Sequence, residues 1–115
     1  MVTFQDEFDS AARRTYNIML SDPETGINDN SQADQGLLKS RTISSAVASA
    51  TGVTVTTPTI NTGGVKTIEG VDYATSSVIT FTVHSWTSGT VIPITITATL
   101  SDGDIEPFEL RLRIV

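Results

Sequence analysis

Two runs in the C-terminal third constrain this chain more than any other feature. From Val91 to Leu100, Ile92, Ile94, Ile96, Ala98 and Leu100 alternate with Val91, Pro93, Thr95, Thr97 and Thr99. From Phe108 to Ile114, Phe108, Leu110, Leu112 and Ile114 alternate with Glu109, Arg111 and Arg113. A period of two sends successive side chains to opposite faces, so each run predicts a strand with one face buried and the other wet. Asp102-Gly103 between them supplies the turn chemistry of an antiparallel hairpin. Ser77 to Ser85 repeats the pattern, with Ile79, Phe81 and Val83 against Val78, Thr80, Thr82 and His84, and a short Gly-containing loop, Trp86 to Thr90, follows it. Three consecutive antiparallel strands are therefore expected, with Ile79, Phe81, Val83, Ile92, Ile94, Ile96, Leu110 and Leu112 turned inward.

Upstream, Thr42 to Ala48 and Val53 to Thr56 read as two short strands around Thr51-Gly52. Ile60 and Val65 to Ile68 flank a turn at Asn61 to Gly64. Short strands at this spacing predict a sandwich or small barrel. Pro93 has no N–H for a ladder and is expected at an edge or a bulge. Residues 42–101 carry only Lys66, Glu69 and Asp72 as charges, whereas residues 1–40 hold seven acids and read differently. There Phe4, Phe8, Ala11, Ala12 and Tyr16 fall near a helical stripe. The alternative is an extended arm with Tyr16 to Leu20 as a strand, followed by a polar loop, Asn28 to Gln35. The division expected is an N-terminal arm and polar loop over residues 1–40 and a β-sandwich over residues 41–115.

A chain of 115 residues suits one domain with its own core. It has no cysteine and one histidine, which excludes disulfides, a Cys nucleophile and the common zinc sets. The net charge of −6 is the wrong sign for binding a phosphate backbone, so no nucleic acid is expected as a partner. No apolar run approaches the ~18 residues of a membrane helix, and no membrane partner is expected. Met1 to Glu7 is acidic where a secretory signal is basic and then apolar, so synthesis in the cytoplasm without export is the expectation.

The residues that could carry chemistry lack companions. His84 has no nucleophile motif beside it, and Gly63-Gly64 lacks the lysine and helix of a phosphate loop. Asp102, Asp104 and Glu106, and separately Asn28, Asp29, Asn30 and Asp34, are oxygen-rich, but neither group follows the twelve-residue calcium loop. Trp86 and Tyr73 could form a sugar platform, although a Trp beside a turn is more often a plug at the core edge or an oligomer contact. No catalytic residue, metal site or cofactor is expected, and the chain reads as a non-enzyme.

The succession Thr42-Ile-Ser-Ser45, Thr51-Gly-Val-Thr-Val55, Ile79-Thr-Phe-Thr-Val83, Ser88-Gly-Thr90, Ile94-Thr-Ile-Thr97, Ser101-Asp-Gly103 and Phe108-Glu-Leu-Arg-Leu-Arg113 resembles the small Ig-like virion proteins of tailed bacteriophages, of the fiber–tail adaptor or neck type. The likeness is one of pattern over residues 40–115. Trp86-Thr-Ser-Gly89 carries one glycine where that pattern has two, and Asn61 to Tyr73 is longer. The resemblance implies an all-β, Ig-like antiparallel sandwich and a structural virion component, a neck or tail adaptor subunit joining capsid, tail or fibers. It further implies location in the virion, synthesis in the bacterial cytoplasm, a homo-oligomeric ring, and neck, portal, tail or fiber subunits as partners. A capsid decoration protein and a carbohydrate- or surface-binding sandwich module are the alternatives. Phe4, Phe8, Arg13, Arg14, Tyr16 and Trp86 are the candidate partner-interface residues, because apolar anchors in a polar surround suit docking. On that reading residues 1–40 serve assembly more than stability.

Overall fold

The computed structural model describes residues 2–21, 38 and 40–115. Among these there is no helix. The strands are β1 (Val2–Phe8), β2 (Arg14–Met19), β3 (Ile43–Ser49), β4 (Thr54–Val55), β5 (Thr59–Ile60), β6 (Lys66–Ile68), β7 (Val71–Tyr73), β8 (Val78–His84), β9 (Val91–Leu100) and β10 (Ile105–Ile114). One sheet has the order β1-β10-β9-β3, the other β2-β8-β4 with β5 also paired to β8, and β6 pairs with β7. The inner faces of the two larger sheets share one core, built on Phe8, Phe81, Phe108, Leu20 and the isoleucines of β8 and β9. Strands β2, β8 and β4/β5 stand where B, E and D stand in an immunoglobulin sandwich, and β3, β9 and β10 where C, F and G stand. The fold is an all-β, Ig-like sandwich, and every residue expected to point inward does so.

The β9–β10 hairpin forms on the expected turn. The Gly103 N–H donates to Leu100 O at 2.9 Å, the Leu100 N–H donates to Asp104 O at 2.8 Å, and Gly103 takes a φ of 94°. A three-residue loop with glycine in the left-handed region suits this connection. Pro93 lies opposite Arg111 of β10, but β3 reaches along β9 only as far as Thr95. Its missing N–H therefore faces a stretch of β9 that has no second neighbour.

Four expectations are corrected. Residues 4–16 are not helical: β1 and β2 occupy them, joined by a turn in which the Ala12 N–H donates to Asp9 O at 2.9 Å. Residues 2–21 are not a separate arm either, because β1 edges one sheet and β2 the other. Pairing is also not antiparallel throughout, since β1 runs parallel to β10. Finally, β8 and β9 do not form a hairpin: β8 pairs with β2, β4 and β5, and the Trp86–Thr90 link crosses between sheets. The β3–β4 link crosses at the same end, and the two loops meet. Gly52, at φ 94°, accepts the Thr87 N–H at 2.8 Å, and a Cβ there would lie 2.2 Å from Ser88 O. Alternation tells which face of a strand is buried; it is the same whether the neighbour in sequence lies beside the strand or across the core.

At the opposite end, Asn61 stitches the long D–E insertion to β8. Its Nδ2 donates to Gly64 O at 3.1 Å and Ala74 O at 2.8 Å, while its Oδ1 accepts the Ser77 and Val78 N–H groups at 3.0 Å each. An amide with two donors and two acceptor lone pairs is thereby fully used.

Ile94 is fully buried at the centre of β9. Ile94→Asp places an unpaired carboxylate in the core, a change that costs several kcal/mol. The expected outcome is loss of the cooperative urea transition followed by circular dichroism; a soluble, cooperatively folding variant would show that the register of β9 is wrong.

Candidate functional site

Four of the six predicted interface residues, Phe4, Phe8, Arg14 and Tyr16, lie at the seam where β1 and β2, each the edge of its own sheet, face one another across the sandwich. On β1, Val2, Phe4, Asp6 and Phe8 occupy the inward register, opposite Phe108, Leu110, Leu112 and Ile114 of β10. A carboxylate thus stands in an otherwise apolar row. It is matched from β2: Arg14 Nη1 lies 2.7 Å from Asp6 Oδ2, and Tyr16 Oη donates to the same oxygen at 2.7 Å. Arg14 also donates to Glu7 O at 2.7 Å, and its guanidinium carbon sits 5.5 Å from the Phe8 ring centroid. Tyr16 stacks on Phe81 at 5.8 Å, and Phe4 stacks on Phe108 at 6.4 Å.

These bonds set the electrostatics. The Tyr16 hydroxyl and the Arg14 guanidinium hold the Asp6 carboxyl below the usual aspartate value. Burial, then the bond to Asp6, pushes Tyr16 up to about 12. Arg14 is raised by its bond to Asp6. The recess at the seam, lined by Phe4, Gln5, Asp6, Tyr16, Ile18 and Leu110 among others, encloses about 190 Å³. That is below the ~300 Å³ at which small-molecule pockets begin. What the arrangement does chemically is close the seam: the ion pair and phenol cover apolar edges while keeping a charge at the strand edge, where it discourages stray pairing.

The six predicted interface residues therefore divide. Phe8 is 0% exposed and belongs to the core, so it is no docking anchor. Phe4 and Tyr16 are half-buried in their own sandwich, and Arg14 is engaged by Asp6. Ile18 and Leu20 of the same segment are buried as well. Arg13 is exposed in the turn. Trp86 packs partly against the core, with its indole N–H donating to Gly89 O at 2.9 Å, and so plugs the crossing between the sheets. An acidic, polar segment reads as a docking arm only while its apolar residues have no internal place to go, and the open sides of the sandwich supply that place.

Elsewhere, Asp102 and Asp104 both pair with Arg41, the former at 2.9 Å. The hairpin's own Asp104 N–H, then Arg41, lowers Asp102. Arg41 also donates to Leu38 O at 2.9 Å, so the oxygen-rich turn is tied to the chain entering β3. Among the described residues no three His, Asp or Glu side chains converge as metal ligands. Asn28, Asp29, Asn30 and Asp34 lie outside the described residues. His84 is half-buried and bonds Ser85 Oγ at 2.7 Å. Tyr73 and Trp86 stand beyond opposite ends of β8, a strand of seven residues spanning ~20 Å, and so make no shared platform. The roles of Arg41, Asp6 and Asn61 escaped the sequence pattern, for each depends on partners that only the folded arrangement of strands and loops brings together.

Two outcomes follow for the seam. Phe8→Ala should destabilise by about 3–5 kcal/mol, measured by urea titration, and deletion of residues 1–20 should abolish cooperative folding. A stable truncated protein would restore the arm. For pH, Asp6 is depressed, so its contribution is present above the unfolded aspartate value of ~3.9 and is lost as pH falls through its lower folded value. Tyr16 is raised, so its contribution is complete below ~10 and is lost as pH climbs toward about 12. Thermal melts of Asp6→Asn should lose the acid-side slope that belongs to this group.

No family model and no curated protein matches the chain. Among solved structures, it is similar to the one titled "Solution Structure of Amebosin", at 10% identity and a TM-score of 0.52, over 96% of this chain and 88% of that one. At that identity the likeness is one of fold, and it agrees with the sandwich described above.

Proposed function

We propose that this chain is a structural component of a tailed-bacteriophage particle, of the neck or tail-adaptor type, acting by contact with other virion subunits and performing no catalysis. The observation that carries the reading is where the polar groups go. Asp6, Arg14 and Tyr16 satisfy one another, Arg41 holds Asp102 and Asp104, and Asn61 is consumed by backbone. Each of these clusters fastens the sandwich. The surface meanwhile presents Val47, Val65, Val71, Val91 and Ile105 at more than half exposure. Scattered exposed apolar groups on a small β-platform suit contact with neighbouring subunits. The pattern resemblance over residues 40–115 supports the phage assignment. The test is composition: particles purified from the phage encoding this chain should contain it, by mass spectrometry, at a fixed low copy number relative to the portal protein. Abundance matching the major capsid protein would favour decoration instead, and absence from the particle would overturn the reading.

A further inference from the structure

Sheet edges are usually blunted by charge, proline, bulges or shortness, because an open edge offers a row of unpaired N–H and C=O groups. Three edges here follow that rule. β1 carries Asp6 inward and Glu7 outward, β2 carries Arg14, and β4 and β5 are two residues each. β3 does not. Its residues Ile43–Ser49 contain no charge and no proline, and its register shift falls at Ile43/Ser45, leaving Ser45 to Ser49 regular. Among the described residues, no hydrogen bond reaches Ser45–Ser49 from the side away from β9.

The regular stretch has a further property. Ser45-Ala46-Val47-Ala48-Ser49 reads the same in both directions. In antiparallel pairing about Val47, serine meets serine, alanine meets alanine, and valine meets valine. No like charges oppose one another anywhere in that register, which matters in a chain of net charge −6. The adjoining strand β9 is also without charge, so the neutral zone extends two strands deep on each side. Ala46 and Ala48 are small and do not obstruct a neighbour, while Val47 stands 66% exposed on the outer face opposite Thr97.

We infer that β3 is a self-association edge, at which a second copy of this chain adds its own β3 antiparallel about a two-fold axis at Val47. The product is one continuous sheet in the order β1-β10-β9-β3-β3-β9-β10-β1. The interface is isologous and closes on itself, and the charged β1 edges stop further growth. A five-residue pairing buries less than the ~1,200 Å² of a standard stable interface, so the pair dissociates on dilution. The inference concerns the isolated chain and does not rest on the virion assignment.

The chain's lack of cysteine makes single-cysteine cross-linking clean. Two residues facing on a two-fold antiparallel axis have Cα atoms about 4.5–5.5 Å apart, within the range a disulfide spans. Under oxidised glutathione, Val47→Cys should form cross-linked dimer at least ~10 times faster than Val91→Cys, which is 53% exposed on the same sheet face but lies away from the axis. Sedimentation of the wild-type chain should show a monomer–dimer equilibrium, and Val47→Lys should remain monomeric with an unchanged melting temperature at low concentration. A wild-type chain that stays monomeric at millimolar concentration overturns the inference. So does a dimer that survives Val47→Lys, or cross-linking of Val47→Cys no faster than of Val91→Cys.

Discussion

A sandwich of two sheets has open sides where the inner faces meet water, and the structure depends on how one of them is closed. Here the closure comes from Phe8 and Ile18, carried by strands that flank a five-residue turn and belong to different sheets, and from Leu20 just past the second of them. Asp6, Arg14 and Tyr16 then cover the rim. Without these strands, the inward faces of β10 and β8 would each lose a neighbour. Burying an aromatic ring and two aliphatic side chains contributes several kcal/mol, comparable with the net stability of a small domain.

The remaining connections are held by few but well-used polar groups. Crossing between sheets forces loops to run over the ends of the sandwich, where their backbone groups need partners. At one end Gly52 accepts from the Thr87 amide and lets the two crossing loops touch. At the other, Asn61 bonds the backbone on both sides of the inserted β6–β7 hairpin. Arg41 ties the β9–β10 turn to the start of β3. Between residues 42 and 101 the chain carries three charges, so neutral hydrogen bonds bear most of this work.

The same scarcity of charge shapes the surface. Solvent-facing threonines on β8 and β9 are good strand formers but provide little repulsion against other strands. Edges that carry Asp6, Glu7 and Arg14 are defended, whereas β3 carries nothing comparable. A protein whose task is contact with copies of itself and with neighbours can keep such an edge open; the proposed assembly role and the proposed self-pairing are compatible on these grounds, although each stands on its own observations.

The alternating runs at 78–84, 91–100 and 108–114 determined by themselves that those strands form and, except at Val78, which was read on the wet face and is buried, which side chains they bury, because period-two patterning is a local property of an extended backbone. Asp102-Gly103 likewise determined the hairpin, since a tight turn depends on only a few residues. The sequence also showed an absence of cysteine and a shortage of histidine, which narrowed the chemistry. Which sheet each strand joins was settled by tertiary structure: β8 and β9 have the same alternation whether they pair or face each other across the core. The fate of Phe4, Phe8 and Tyr16 was decided there too. Spaced at four and eight residues, they satisfy a helical stripe, yet Phe4 and Phe8 also share one face of a strand. The free inner-face positions beside β10 and β8 chose the strand, because there those rings are covered while β1 and β2 pair with a neighbouring strand.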